Sequence, residues 1–146
     1  MSGIIKEVGI RDDKVSSVIT IIDKLDKLSK EEISELLLNI GINNNQIEKL
    51  LNYFKLSIEE LNNVNSNNEL LNEGLEEINN LNKFIKYLNI EKYVVFSSTL
   101  ARGQDYYTGN VFEVYEANNK LTSSIGGGGR YDNMITNFIS DGNIYP

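Results

Sequence analysis

The sequence predicts an α+β chain, mainly helical over residues 1–90 and built of antiparallel strands with a closing helix over 91–146. Three observations predict it. Up to Ile90 the chain is dominated by Leu, Ile, Asn, Lys and Glu, whereas most of the glycines and tyrosines come later. Apolar residues step by three or four along Lys14–Leu28 and Asn68–Leu88, the period of an amphipathic helix. Beyond Ile90, "KYVVFSS" and "NVFEVYEA" bring the β-branched and aromatic residues of strands.

In chain order, Val15, Val18, Ile19, Ile22 and Leu25 form one helix face, with Asp12 or Asp13 in place to accept from the first-turn N–H groups. "SKEE" at Ser29–Glu32 is a capping box, and Gly41 is placed to close the short helix it opens. The pattern repeats over Asn43–Phe54, and "SIEE" at Ser57–Glu60 is a second box. Short helices of this kind must stack to hide their Leu and Ile faces. "NNVNSNNE" at Asn62–Glu69 reads as a polar loop with no assigned function. Leu71, Leu75, Ile78, Leu81, Ile85 and Leu88 then make a continuous stripe on one long helix. Such a stripe serves either as a docking surface for a partner helix or as packing within the helical part, and packing is the expectation. The strand part should hold three strands: "KYVVFSS", then "NVFEVYEA" and "KLTSSI" joined by a turn at "ANN". Tyr131–Ile139 returns to helical spacing through Met134, Ile135 and Phe138.

Composition narrows the chemistry. The 146 residues contain neither cysteine nor histidine, which removes disulfides, thiolate or imidazole metal ligands and Ser-His or Cys-His nucleophiles. No metal site is expected. A net charge of -7 argues against this chain alone gripping nucleic acid, because Lys and Arg neutralising phosphates supply most non-specific affinity. No apolar run reaches the roughly 20 residues of a membrane span, and the N-terminus does not read as a signal peptide, so a cytoplasmic location is expected.

Three groups of residues are candidates for chemistry. Arg102 stands between Ala101 and Gly103, its base unobstructed; its planar guanidinium suits phosphate or carboxylate oxygens, and an ion pair with Asp105 is the equal alternative. The glycines 126–129, directly before Arg130 and Tyr131, let a ligand lie against bare backbone. They are no P-loop, because no Gly-Lys-Ser/Thr follows. Tyr106, Tyr107 and Tyr131 pair a flat apolar body with a hydroxyl, although Tyr106 and Tyr107, being adjacent, cannot both face one pocket on an extended chain.

"LARGQDYYTGNVFE" at Leu100–Glu113 and "GGGRYDNMI" at Gly127–Ile135 resemble the two signature segments of histidyl-tRNA synthetases, a class II aminoacyl-tRNA synthetase family. "IDKLDKLSKEE" at Ile22–Glu32 is similar to the helix that follows the second class II motif there. The resemblance implies a helical insertion domain at about residues 30–90, leaning on the tRNA acceptor arm, followed by part of the antiparallel class II sheet. It implies that Arg102 is catalytic and binds the α-phosphate of ATP, and that Tyr107, Tyr131, Gly126, Gly127 and Gly128 line the histidine pocket. Asp105 would be structural, and Gln104 departs from the Leu frequent in the family. The implied activity is activation of histidine with ATP and Mg²⁺ to histidyl-adenylate, then transfer to tRNA(His).

The first class II motif, which makes the dimer interface, is not visible in the sequence, nor are the second and third motifs or an anticodon-binding domain. The expectation is therefore an internal segment of a homodimeric parent, inactive by itself and without a bound cofactor. Two other readings are a synthetase-like regulatory subunit of ATP phosphoribosyltransferase and an autonomous helical interaction module. Arg102, "RGQDYY" and the helical insertion speak against the former.

Overall fold

Three of the short helices begin on a side chain that reaches back to its own backbone. Ser29, Asn43 and Ser57 each accept from the N–H three residues on, while Glu32, Gln46 and Glu60 return the bond to the cap residue's N–H. Each reciprocal pair satisfies two otherwise orphaned groups and fixes where the helix starts. The computed structural model describes residues 1–101, 107–118, 121 and 123–132. It falls into two units, Met1–Ala101 and Arg102–Pro146.

The described residues of the first unit form α1 (Ser2–Glu7), α2 (Asp12–Ile22), α3 (Lys30–Asn39), α4 (Asn44–Tyr53), α5 (Ile58–Asn62) and α6 (Glu69–Tyr87), then a 3-10 turn at Glu91–Tyr93. Ile5, Val18, Ile22, Ile33, Leu37, Leu50 and Leu61 are fully enclosed, and among the described residues no polar or charged side chain is buried with them. The core is thus held by apolar burial and needs no buried ion pair.

Helix α1, absent from the sequence reading, sits at the centre and packs on α2, α4 and α6. Its Gly3 lets the backbones of α1 and α6 touch, since a Cβ there would lie 2.6 Å from the Leu71 Cα. The asparagine tract, to which no role was given, fastens this crossing. Asn68 caps α6 and donates from Nδ2 to Gly3 O at 3.2 Å, and Ser66 Oγ donates to Glu7 Oε2 at 2.5 Å.

Helices α1, α3 and α6 end alike. Gly9, Gly41 and Asn89 take positive φ, and the following Ile10, Ile42 and Ile90 donate their N–H back to Ile5, Leu37 and Ile85. This is the Schellman arrangement, with a left-handed residue just past the helix and an apolar residue after it. Ile10 and Ile42 are buried by it.

Several expectations need correction. Neither Asp12 nor Asp13 caps α2, whose N-cap is Arg11, with no side-chain bond. Asp13 is held by the Arg11 guanidinium at 2.7 Å and Asp12 by Lys6 at 2.9 Å, which draws both carboxylates from the backbone. The helix ends at Ile22, not Leu28. Residues 23–28 are tight turns that still press Leu25 and Leu28 against the core, so Ile22–Glu32 is a helix end, a turn and a helix start. "KYVVFSS" makes no strand ladder among the described residues; Phe96 instead packs on the helical core and Ser98 Oγ donates to Phe54 O at 2.8 Å.

The α6 stripe divides along its length. Leu71 is buried and Leu75 packs on the core, whereas Leu81 and Leu88, the latter 61% exposed, face outward. The expected internal packing holds for the first half only.

The second unit contains an antiparallel pair, β1 (Val111–Val114) and β2 (Gly126–Gly129), with Val111 opposite Gly129 and Val114 opposite Gly126. The expected strand at "KLTSSI" lies one step too early. Its residues 121 and 123–125 are outside any strand, and the glycine run itself is the partner of β1. The α+β class holds, as a mostly helical chain with a small antiparallel sheet. The helix expected over Tyr131–Ile139 lies, from residue 133 onward, outside the described residues.

Candidate functional site

The site is built on the glycine strand. Residues opposite one another in an antiparallel pair share a face, and faces alternate along each strand. Val111, Glu113, Gly127 and Gly129 therefore lie on one face, and Phe112, Val114, Gly126 and Gly128 on the other. The Tyr107 ring lies against the first face at Gly129, where an added Cβ would be 2.6 Å from Cδ1 and 2.9 Å from Cε1. Only a residue without a side chain admits the ring there.

Tyr131 follows β2 by two residues and completes the arrangement. Its ring centroid is 6.5 Å from that of Tyr107, with the planes inclined at 54°, a favourable tilted pair. Tyr131 is 51% exposed, so the two phenols border an open surface rather than a sealed core. On the opposite face the Phe112 ring covers Gly128, and a Cβ on Gly126 would meet no atom within 4 Å.

The chain leading into β1 is tied to the chain leaving β2. Thr108 N–H donates to Arg130 O at 2.8 Å and Arg130 N–H donates to Asn110 O at 2.9 Å, so the backbone bends at Gly109 between two bonds to one residue. Asp132 accepts from Arg130 Nε, which lies 2.9 Å and 2.8 Å from its two carboxylate oxygens. That guanidinium bond first holds the Asp132 carboxyl below the usual carboxylate range; desolvation opposes it, and the Thr108 hydroxyl and the Arg130 charge add smaller lowering effects.

Of the residues singled out in the sequence, Tyr107 and Tyr131 come together, and Gly126, Gly127 and Gly128 form the strand beside them. Arg102, with Gln104, Asp105 and Tyr106, lies outside the described residues. Thr108 and Asp132 carry no sequence signal of their own, whereas Gly129 belongs to the glycine run expected to offer bare backbone. Thr108 and Asp132 each adjoin a residue already noted, and nothing in their spacing marks them as partners. Among the described residues no three His, Cys, Asp or Glu side chains are grouped to hold a metal ion, and no helix is long and apolar enough to cross a membrane.

Comparison with known proteins agrees with the motifs. A family model described as histidyl-tRNA synthetase matches residues 1–143. The chain is 34% identical over its whole length to histidine–tRNA ligase 1 of Bacillus cereus and 37% identical over 91% of its length to histidine–tRNA ligase of Pyrococcus abyssi. It spans about a third of these relatives, 35% and 32% of their lengths. The crystal structure of histidyl-tRNA synthetase from Nostoc superposes on 95% of the chain with a TM-score of 0.88 at 27% identity, covering 35% of that protein. With the family model matched across nearly every residue and the fold reproduced, the chain belongs to the histidyl-tRNA synthetase family.

Proposed function

We propose that this chain supplies the histidine side of the active site of a histidine–tRNA ligase, together with its helical insertion over about residues 30–90. The parent activates histidine with ATP to histidyl-adenylate and passes it to tRNA(His). The single observation that carries the reading is the pairing of Tyr107 with Tyr131 beside side-chain-free backbone. A flat polar ring can rest between such phenols while its backbone-like atoms approach the strand, and the phenols can each donate or accept one hydrogen bond. Gly127 is the glycine of the proposed wall that shares the Tyr107 face.

In this reading Arg102 is the fixed cation for the α-phosphate of ATP as the histidine carboxylate attacks it. A guanidinium aimed at the developing charge lowers the barrier without proton transfer. ATP and Mg²⁺ are substrate and metal of the parent, and among the described residues no three acidic side chains are grouped to hold the ion. Homodimerisation and a cytoplasmic location belong to the parent in the same reading. The tRNA contact has a constraint of its own. Between residues 30 and 90 there are ten glutamates and only five lysines, so an insertion leaning on the acceptor arm touches it at few points and leaves wide phosphate contact to other regions.

The test is a two-dimensional amide spectrum of the 146-residue chain with and without millimolar histidine. Shifts at Tyr107, Tyr131 and the glycine strand support the reading; a spectrum unchanged by histidine opposes it. In the full ligase, Arg102→Ala should abolish most histidine-dependent pyrophosphate exchange. The chain alone, spanning 35% of its Bacillus cereus relative, is expected to show none. One observation favours the helical interaction module as second reading: the first unit has its own apolar core and an exposed half-stripe on α6. That reading requires partner binding that Arg102→Ala leaves intact.

A further inference from the structure

The two residues that directly follow Tyr107 and Tyr131 are joined twice. Asp132 N–H donates to Thr108 Oγ1 at 3.0 Å, and the same hydroxyl donates to Asp132 Oδ2 at 3.1 Å. One side-chain oxygen is thus acceptor and donor toward one residue, which a threonine or serine hydroxyl can do and a valine of the same shape cannot. Arg130, on the other side of Tyr131, receives the Thr108 N–H and holds the Asp132 carboxylate. Tyr131 therefore sits between two residues that both grip Thr108. The register of the strands is already fixed by four paired positions and by Ile125 N–H donating to Val114 O. What the extra bonds add is control over the chain just beyond the ladder, where both tyrosines stand.

We propose that Thr108 and Asp132 act as a clasp that positions Tyr107 and Tyr131 for histidine. The inference rests on the reading of these tyrosines as the histidine pocket. Neither clasp residue touches the ligand; the clasp fixes the separation of the two rings, so that histidine meets a pair already set rather than one it must assemble. An assembled pocket loses affinity by the share of time its parts spend apart.

The experiment uses Thr108→Val, Thr108→Ser, Asp132→Asn and Tyr107→Ala, with two readouts. The first is the proton–proton contact between the Tyr107 and Tyr131 rings in NMR spectra of the full 146-residue chain. The second is kcat and the KM for histidine in pyrophosphate exchange by the ligase that contains the segment. Thr108→Val and Asp132→Asn should weaken the ring contact and raise KM about tenfold, the scale of a lost hydrogen bond to a charged group, with kcat changed by less than about twofold. Thr108→Ser should restore both, with dispersed amide signals throughout. Unchanged ring contact and KM in Thr108→Val overturn the clasp, as does a loss that serine does not rescue. Tyr107→Ala tests the underlying reading separately. If it leaves KM unchanged while Thr108→Val still separates the rings, the clasp orders the tyrosines but histidine is not their ligand, and the proposal fails on that part.

Discussion

Alanine substitutions along the glycine strand should have effects that follow its two faces. At Gly129 the new Cβ would stand 2.6 Å from Tyr107 Cδ1 and 2.9 Å from Val111 Cγ1. Carbon atoms rest at about 3.5–4.0 Å, so the ring must retreat by roughly 1 Å. Overpacking of this kind costs about 1–3 kcal/mol. A 1 Å displacement of a positioning group can weaken function by up to roughly 100-fold. At Gly128 the contacts are Phe112 Cε1 and Cζ at 3.1 Å, the far end of a ring that is 56% exposed and free to swing outward. The cost there should stay below about 1 kcal/mol. Gly126 faces open space, and alanine there should be neutral within about 0.5 kcal/mol. Gly127→Ala separates fold from function, since it puts a methyl group on the Tyr107 face of the strand. It should lower histidine affinity more than Gly126→Ala does. Urea unfolding reads the stabilities and a histidine titration followed by NMR reads the affinities. If Gly126→Ala proves as damaging as Gly129→Ala in both assays, the assignment of faces and ring contact is wrong.

Four other outcomes can be checked on the helical unit. Ser29→Ala removes one side of a capping box and should lower stability by about 1 kcal/mol, measured by denaturant unfolding. The Ser29 N–H, and then its hydroxyl, hold the Glu32 carboxyl below its usual range; this stabilisation is present at neutral pH and is lost as pH falls through the folded-state value, so an NMR titration placing Glu32 at or above an ordinary glutamate refutes the box. Gly41 has φ of +80°, and Gly41→Ala should cost about 1–2 kcal/mol, with Gly41→Asn costing less. Leu37→Ala should cost about 2–5 kcal/mol because its side chain is fully enclosed, while Phe84→Ala should change the stability of the chain by less than about 0.5 kcal/mol.

What the sequence discloses depends on whether a signal is local. The boxes at Ser29 and Ser57 and the bounds of α4 and α6 are set by residues three or four apart, and they are found where expected. Helix α1 escapes because six residues are too few to display a period. Its end carries a usable mark nonetheless. Gly9-Ile10 repeats the Gly41-Ile42 and Asn89-Ile90 pairs that close two other helices. The strands mislead for the opposite reason. Glycine is a poor strand former, so "KLTSSI" outranks "GGGG" on composition. The ladder selects the glycines because the Tyr107 ring occupies the space a side chain would need. Likewise "KYVVFSS" has strand composition, but Phe96 and Ser98 are drawn to the helices. The Thr108–Asp132 contact spans 24 residues and has no local signature at all.

The α6 stripe marks the boundary of this kind of inference. Its apolar residues keep one period from Leu71 to Leu88, yet the first turns are covered by α1 and the later ones face outward. Periodicity reports that a helix has a face; only neighbouring elements determine how much of it is covered. Glu7, Ser66, Asn68 and Gly3 fasten the covered half, all of them polar groups or a bare Cα that a hydrophobic pattern passes over. The same reasoning applies at the tyrosines. The rings are visible in the sequence as candidates because of what they are, whereas the hydroxyl, carboxylate and missing Cβ that set their separation become visible only when the two strands are laid side by side.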